Sequence, residues 1–177
     1  SELRQLRQWV CWKLETVDGR LTKVPYTPRG TKASTTNPST WSEFEVVAAI
    51  CRDDPKRFHG IGFVFNGEYT GIDLDHHRDP ATGELDAFAK EYVSRLNSYT
   101  ELSQSGTGVH IIARGVIPSD TGRRDAKLGI EMYSKARFFV MTGAHLDGSP
   151  SAIEPRQSAI SGLFQEFFSE RKKATKP

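Results

Sequence analysis

The chain has 177 residues, 37% hydrophobic and 26% charged, with a mean hydropathy of −0.51 and a formal net charge of +2. That length suffices for one sizeable core, or for two small lobes sharing one, and the composition argues against disordered and membrane classes. No apolar run approaches the roughly 20 residues a spanning helix needs, and the small net charge does not by itself announce a nucleic-acid binder.

The opening, SELRQLRQWVCW, lacks a signal peptide's apolar region. Cys11 and Cys51 form no CxxC, which supports neither a zinc site nor a disulfide framework and leaves a reducing cytoplasm as the expected compartment. WVCWKLE (9–15) reads as a strand, VDGR as a turn and LTKVPY as the returning strand of a hairpin. TPRGTKASTTNPST is a loop by its Pro, Gly, Ser and Thr content. Ser42 is placed to cap a helix over 41–53, with Glu45 completing a capping box. GIGFVFNG ends in an Asn-Gly pair, which predicts a hairpin with YTGIDLDH (69–76).

Residues 86–97 carry Phe88, Tyr92, Val93 and Leu96 at helical spacing. YTELSQ and GVHIIARG read as strands around a glycine-rich turn, and 117–127 as a loop. LGIEMYS and RFFVMTG predict two more strands joined at Lys135-Ala136, and a final amphipathic helix covers 158–173. With no internal repeat and no long linker, the expectation is one α+β domain over 1–177, mostly antiparallel, with helices packed on the sheet. Its basic tail suggests a piece of a longer protein. Acidic residues gather around 73–91 and basic ones at 20–32, 123–137 and the end, runs that ordinarily form solvated faces.

GIDLDHH carries the chemistry. Residues i and i+2 of a strand share a face, so Asp73 and Asp75 project together while Ile72 and Leu74 face the core. Two carboxylates this close resist ionising together, and a divalent cation relieves the conflict. The plain alternative is a solvated aspartate pair, although aspartate is depleted in strands. Glu131, flanked by the inward Ile130 and Met132, is the candidate third carboxylate of a two-metal site; taken singly it is an ordinary exposed glutamate. Adjacent histidines point to opposite faces, so His76 and His77 are expected at a strand end facing solvent. In SGTGVH, Ser105, Gly106, Thr107 and Gly108 are candidates to cradle phosphate and His110 to face the aspartates, with a plain hairpin turn as the alternative. Arg137 is a candidate to grip phosphates, with an ordinary surface arginine as the alternative. Lys23, Arg29 and Lys32, interleaved with Tyr26, are candidates for touching a nucleic-acid backbone and stacking a base, with a loop of ordinary surface lysines as the alternative.

Together these stretches resemble the primase–polymerase domain of the archaeo-eukaryotic primase superfamily, found in phage, plasmid and CRISPR-associated replication proteins. Asp73-Leu74-Asp75 matches its first motif, Ser105 to His110 its second, and Ile130-Glu131 its third; the resemblance runs from Trp9 to Gly143. Gly108 stands where many members carry serine. The resemblance implies an RRM-like catalytic sheet with a small N-terminal α/β subdomain. It also implies DNA primase or DNA polymerase activity with two Mg²⁺ or Mn²⁺ ions on Asp73, Asp75 and Glu131, and with His110, the SGTG turn and Arg137 on the triphosphate. The implied partners are a single-stranded DNA template and primer, NTPs or dNTPs, and a helicase or accessory domain; a monomer is expected, with no membrane partner. A two-metal nuclease and a non-catalytic nucleic-acid-binding module are the rival readings.

Overall fold

β-branched and aromatic residues build the strands that organise this chain. The computed structural model describes residues 2–168. Among these, seven strands form one sheet: β1 (Trp9–Val17), β2 (Arg20–Tyr26), β3 (Gly60–Leu74), β4 (Thr100–Leu102), β5 (Val109–Arg114), β6 (Arg123–Asp125) and β7 (Ile130–Met141). Every pairing of these strands is antiparallel. Three helices accompany them: α1 (Phe44–Asp53), α2 (Ala87–Leu96) and α3 (Gln157–Phe168). The α+β class and the mostly antiparallel sheet therefore stand. Residues 169–173 of the predicted last helix, and the basic tail, lie outside the described residues. No helix among the described residues is long and apolar enough to cross a membrane.

β3 is the spine. β7 runs along one edge of it for nearly its whole length, while β1 and then β5 succeed one another along the other. The β1–β2 hairpin, expected within a small N-terminal subdomain, thus extends the same sheet through β1. Its turn is Asp18-Gly19, both with positive φ, as a tight hairpin requires.

Several sequence expectations are corrected here. The Asn66-Gly67 pair does not reverse the chain. Residues on both sides of it pair with the same partner, β7, so the predicted hairpin is one long strand with an irregularity at 67–70. Buried hydroxyls stabilise that irregularity: Thr70 Oγ1 lies 2.8 Å from Ser134 Oγ, which also accepts the Ile117 N–H at 2.8 Å. The predicted turn at Lys135-Ala136 is likewise a bulge within β7, where Ala136 (φ 56°) has no partner on β3. Ser42 does not cap α1. Its backbone exchanges two hydrogen bonds with Trp9 (3.0 and 2.8 Å), and the helix starts after Glu43, which makes no side-chain cap. Finally, part of the predicted loop 117–127 is strand β6, paired to β7.

Two apolar clusters clamp the sheet. Ile72, Leu74, Val109, Ile111, Ile130 and Met132, all fully buried, pack against α2 and α3 on one face. Each such side chain contributes about 1.5–3 kcal/mol of hydrophobic stabilisation. On the other face Trp9, Phe63, Phe65, Ile112 and Phe139 form a second cluster with Val47 of α1. Free Cys11 and Cys51, distant in sequence, meet within it, and the Cys51 thiol donates to the Gly60 carbonyl at 3.3 Å.

Candidate active site

Strand register lines up five polar side chains. Glu101 on β4 pairs with His110 on β5, His110 with Asp73 on β3, Asp73 with Glu131 on β7, and Glu131 with Arg124 on β6. Directly opposed residues of an antiparallel pair share a face, so these form one straight row across five strands. The rows on either side belong to the apolar cluster under α2 and α3, which forces this row onto the opposite face. Two like charges, Asp73 and Glu131, occupy its centre, an arrangement that destabilises a sheet. Asp73, Asp75, His110, Arg124, Arg137 and Lys23 line one open pocket of about 650 Å³.

The electrostatics follow from burial. Burial, reinforced by Asp75 and Glu131, holds the Asp73 carboxyl above its ordinary value; His110 and Lys23 oppose the shift. Asp73 Oδ1 is buried without a hydrogen-bond partner, and so is His110 Nδ1. His110 Nε2 lies 3.7 Å from Asp73 Oδ1, and Nδ1 lies 3.8 Å from Glu101 Oε1, contacts too long for hydrogen bonds. Burial alone pushes fully buried Glu101 upward. The facing imidazole, the Thr142 N–H at 2.8 Å and the Tyr99 hydroxyl at 2.9 Å outweigh it and hold the carboxyl below its ordinary value. Glu131 Oε1 is gripped by Arg124 Nε at 2.9 Å, and Oε2 by Arg137 Nη2 at 3.4 Å.

Not every predicted residue joins this cluster. Ser105, Gly106, Thr107 and Gly108 form a turn in which three N–H groups are engaged internally. Gly106 donates to the Ser103 carbonyl (2.9 Å), Thr107 to Ser105 Oγ (3.3 Å) and Gly108 to Ser103 Oγ (3.1 Å). The turn abuts the aspartate strand so tightly that a Cβ on Gly108 would lie 2.3 Å from the Leu74 carbonyl oxygen, which excludes any side chain there. Lys32 is paired with Glu15 at 3.2 Å, and Arg29 lines a separate groove beside Arg7 and Trp41. Tyr26 is unavailable for stacking a base, because its ring is buried and its hydroxyl donates to Glu15. His76 does face solvent. His77 does not: its ring stacks on Phe88 at 4.4 Å and bridges Asp86 (2.8 Å) and the Leu128 carbonyl (2.7 Å).

No protein-family model matches the chain. Over 179 aligned positions, covering 97% of the chain, it is 34% identical to the DNA primase-polymerase of Nitratiruptor phage NrS-1. The chain is homologous to a segment of that primase-polymerase. It spans 24% of the phage protein's length.

In this primase-polymerase homologue, sequence reasoning missed three residues. Glu101 sits in a short strand, and only the β4–β5 register sets it against His110. Arg124 belongs to a segment without β-formers that reads as loop. Arg78 follows the aspartates and braces the glycine turn through Nη1 to the Gly106 carbonyl at 2.8 Å. Its position straight after DLDHH is the one signal that marked it.

Proposed function

We propose that this chain is a nucleotidyltransferase domain, a DNA primase or DNA polymerase that joins NTPs or dNTPs on a single-stranded DNA template, built on an archaeo-eukaryotic primase fold. The observation that carries this reading is the like-charged pair Asp73 and Glu131 at the centre of the polar row, beside an open pocket that also holds cationic side chains. The name of the phage relative supports it.

The residues fit a divalent cation in part. Asp73 offers a buried, unpartnered carboxylate oxygen and Asp75 stands next to it, a hard oxygen set suited to Mg²⁺ or Mn²⁺. Glu131 has both oxygens committed to arginines, and among the described residues no three His, Cys, Asp or Glu side chains converge as a ligand shell. When bound, such cations lower the pKa of an attacking hydroxyl and neutralise a triphosphate.

The chain's own groups supply positioning and charge. Lys23, Arg124 and Arg137 surround the pocket with positive charge for a triphosphate. His110, wedged between Glu101 and Asp73, presents one imidazole edge to the same space. The glycine turn works from behind, fixing Asp75 through the tight Gly108–Leu74 contact. A binding-only reading needs exposed aromatics on this face, yet Phe65 and Phe139 are buried. A helicase or accessory partner, a monomeric state and a cytoplasmic setting belong to the same proposal.

Labelled primer annealed to a longer template separates the readings. With Mn²⁺ and nucleotides, the wild type lengthens the primer and Asp73→Asn does not, while circular dichroism shows both folded. Shortening of the primer, or equal extension by the Asp73→Asn chain, contradicts the assignment.

A further inference from the structure

Glu131 is the carboxylate of the row held by two arginines, with one oxygen committed to each. Its side chain is only 14% exposed, whereas the two arginines that grip it are 63% and 49% exposed. Arg124 reaches Glu131 from the neighbouring strand β6 by direct register. Arg137 comes from beyond the Ala136 bulge of the same strand and also lies over the Tyr133 ring at 4.8 Å. Both line the pocket that Asp73 and Asp75 face.

We propose that Arg124 and Arg137 form a polyphosphate clamp and that Glu131 is its occupant in the free chain. This rests on the nucleotidyl-transfer reading above. A guanidinium fork binds phosphate in the same bidentate fashion as carboxylate, and a triphosphate brings several charged oxygens against the single carboxylate of Glu131. The exposed arginines are free to turn toward it; Glu131, walled in by its strand, is not. Their departure leaves Glu131 facing Asp73 without its arginine partners, and the pair then becomes a cation site. Polyphosphate binding and cation binding are thereby coupled through one carboxylate, and Arg124 becomes a substrate-binding residue.

The test is calorimetric binding of a nucleoside triphosphate to the folded chain in EDTA, where no metal contributes. Glu131→Gln frees both arginines, so it binds roughly fivefold tighter than wild type, the worth of one surface ion pair. Arg124→Ala binds at least roughly fivefold more weakly, and Arg124→Lys falls between. If Glu131→Gln binds equally or more weakly while wild type binds triphosphate, the clamp is wrong and the functional reading survives. If wild type binds no triphosphate even with Mn²⁺, the functional reading fails and the clamp with it. Should Glu131→Gln not fold, the Arg124→Ala and Arg124→Lys series decides, and unchanged binding in both overturns the clamp.

Discussion

Asp73 and Glu131 oppose each other across β3 and β7; Glu131 is held by Arg124 and Arg137, whereas Asp73 Oδ1 is buried without a hydrogen-bond partner. A fold gains nothing by placing two acids there, and burial holds the Asp73 carboxyl above its ordinary value. Asp73→Asn therefore stabilises the chain at neutral pH even as it removes activity, a trade expected of functional residues. About 1 kcal/mol is expected, a rise of roughly 2–4 °C in melting temperature for a chain of this size, read by thermal unfolding. Glu101 has the opposite sign. Its folded value lies below the ordinary 4.5, so its stabilisation is fully present above that value and is lost as pH falls through the folded one. Glu101→Gln should cost about 2 kcal/mol at pH 7, and the gap from wild type should narrow on acidification; a gap constant with pH contradicts this. The aspartates were legible in sequence because period-two alternation and the rarity of strand aspartate need no tertiary knowledge. Glu101 and Arg124 were not, because their meaning lies in cross-strand register.

Elements were legible wherever local pattern and pairing partner agreed. Asp86 caps α2 by accepting the Ala89 N–H at 2.9 Å, and the β1–β2 hairpin turns at Asp18-Gly19 as expected. Asn66-Gly67 and Lys135-Ala136 misled because turn chemistry also serves bulges, and only the partner strand decides which forms. Ala136 holds φ 56°, a region that costs an L-residue about 1–2 kcal/mol. Ala136→Gly should accordingly stabilise by about 1 kcal/mol in urea unfolding; the loss of roughly 0.5–1 kcal/mol seen for glycine in an ordinary strand would contradict the bulge. Gly71 has the reverse demand. A Cβ there would lie 2.4 Å from the Phe65 ring and 2.6 Å from that of Phe139, so Gly71→Ala should cost about 1–3 kcal/mol.

At the scale of the molecule, one sheet does two jobs with its two faces. Both faces carry apolar clusters, and the face opposite α2 and α3 also concentrates charge in the row between the apolar rows. The β1–β2 hairpin borders that charge with Lys23, and β6, a strand of three residues, brings Arg124 to its far end. That arrangement explains where sequence reading stopped: composition and alternation gave the class of fold and the acids, but the convergence of five strands on one row is a property of topology. Electron paramagnetic resonance of Mn²⁺ tests the central claim most directly. In the presence of a non-hydrolysable nucleoside triphosphate, wild type is expected to hold protein-bound Mn²⁺ that the Asp73→Asn, Asp75→Asn chain does not; equal Mn²⁺ binding by the two would contradict the account.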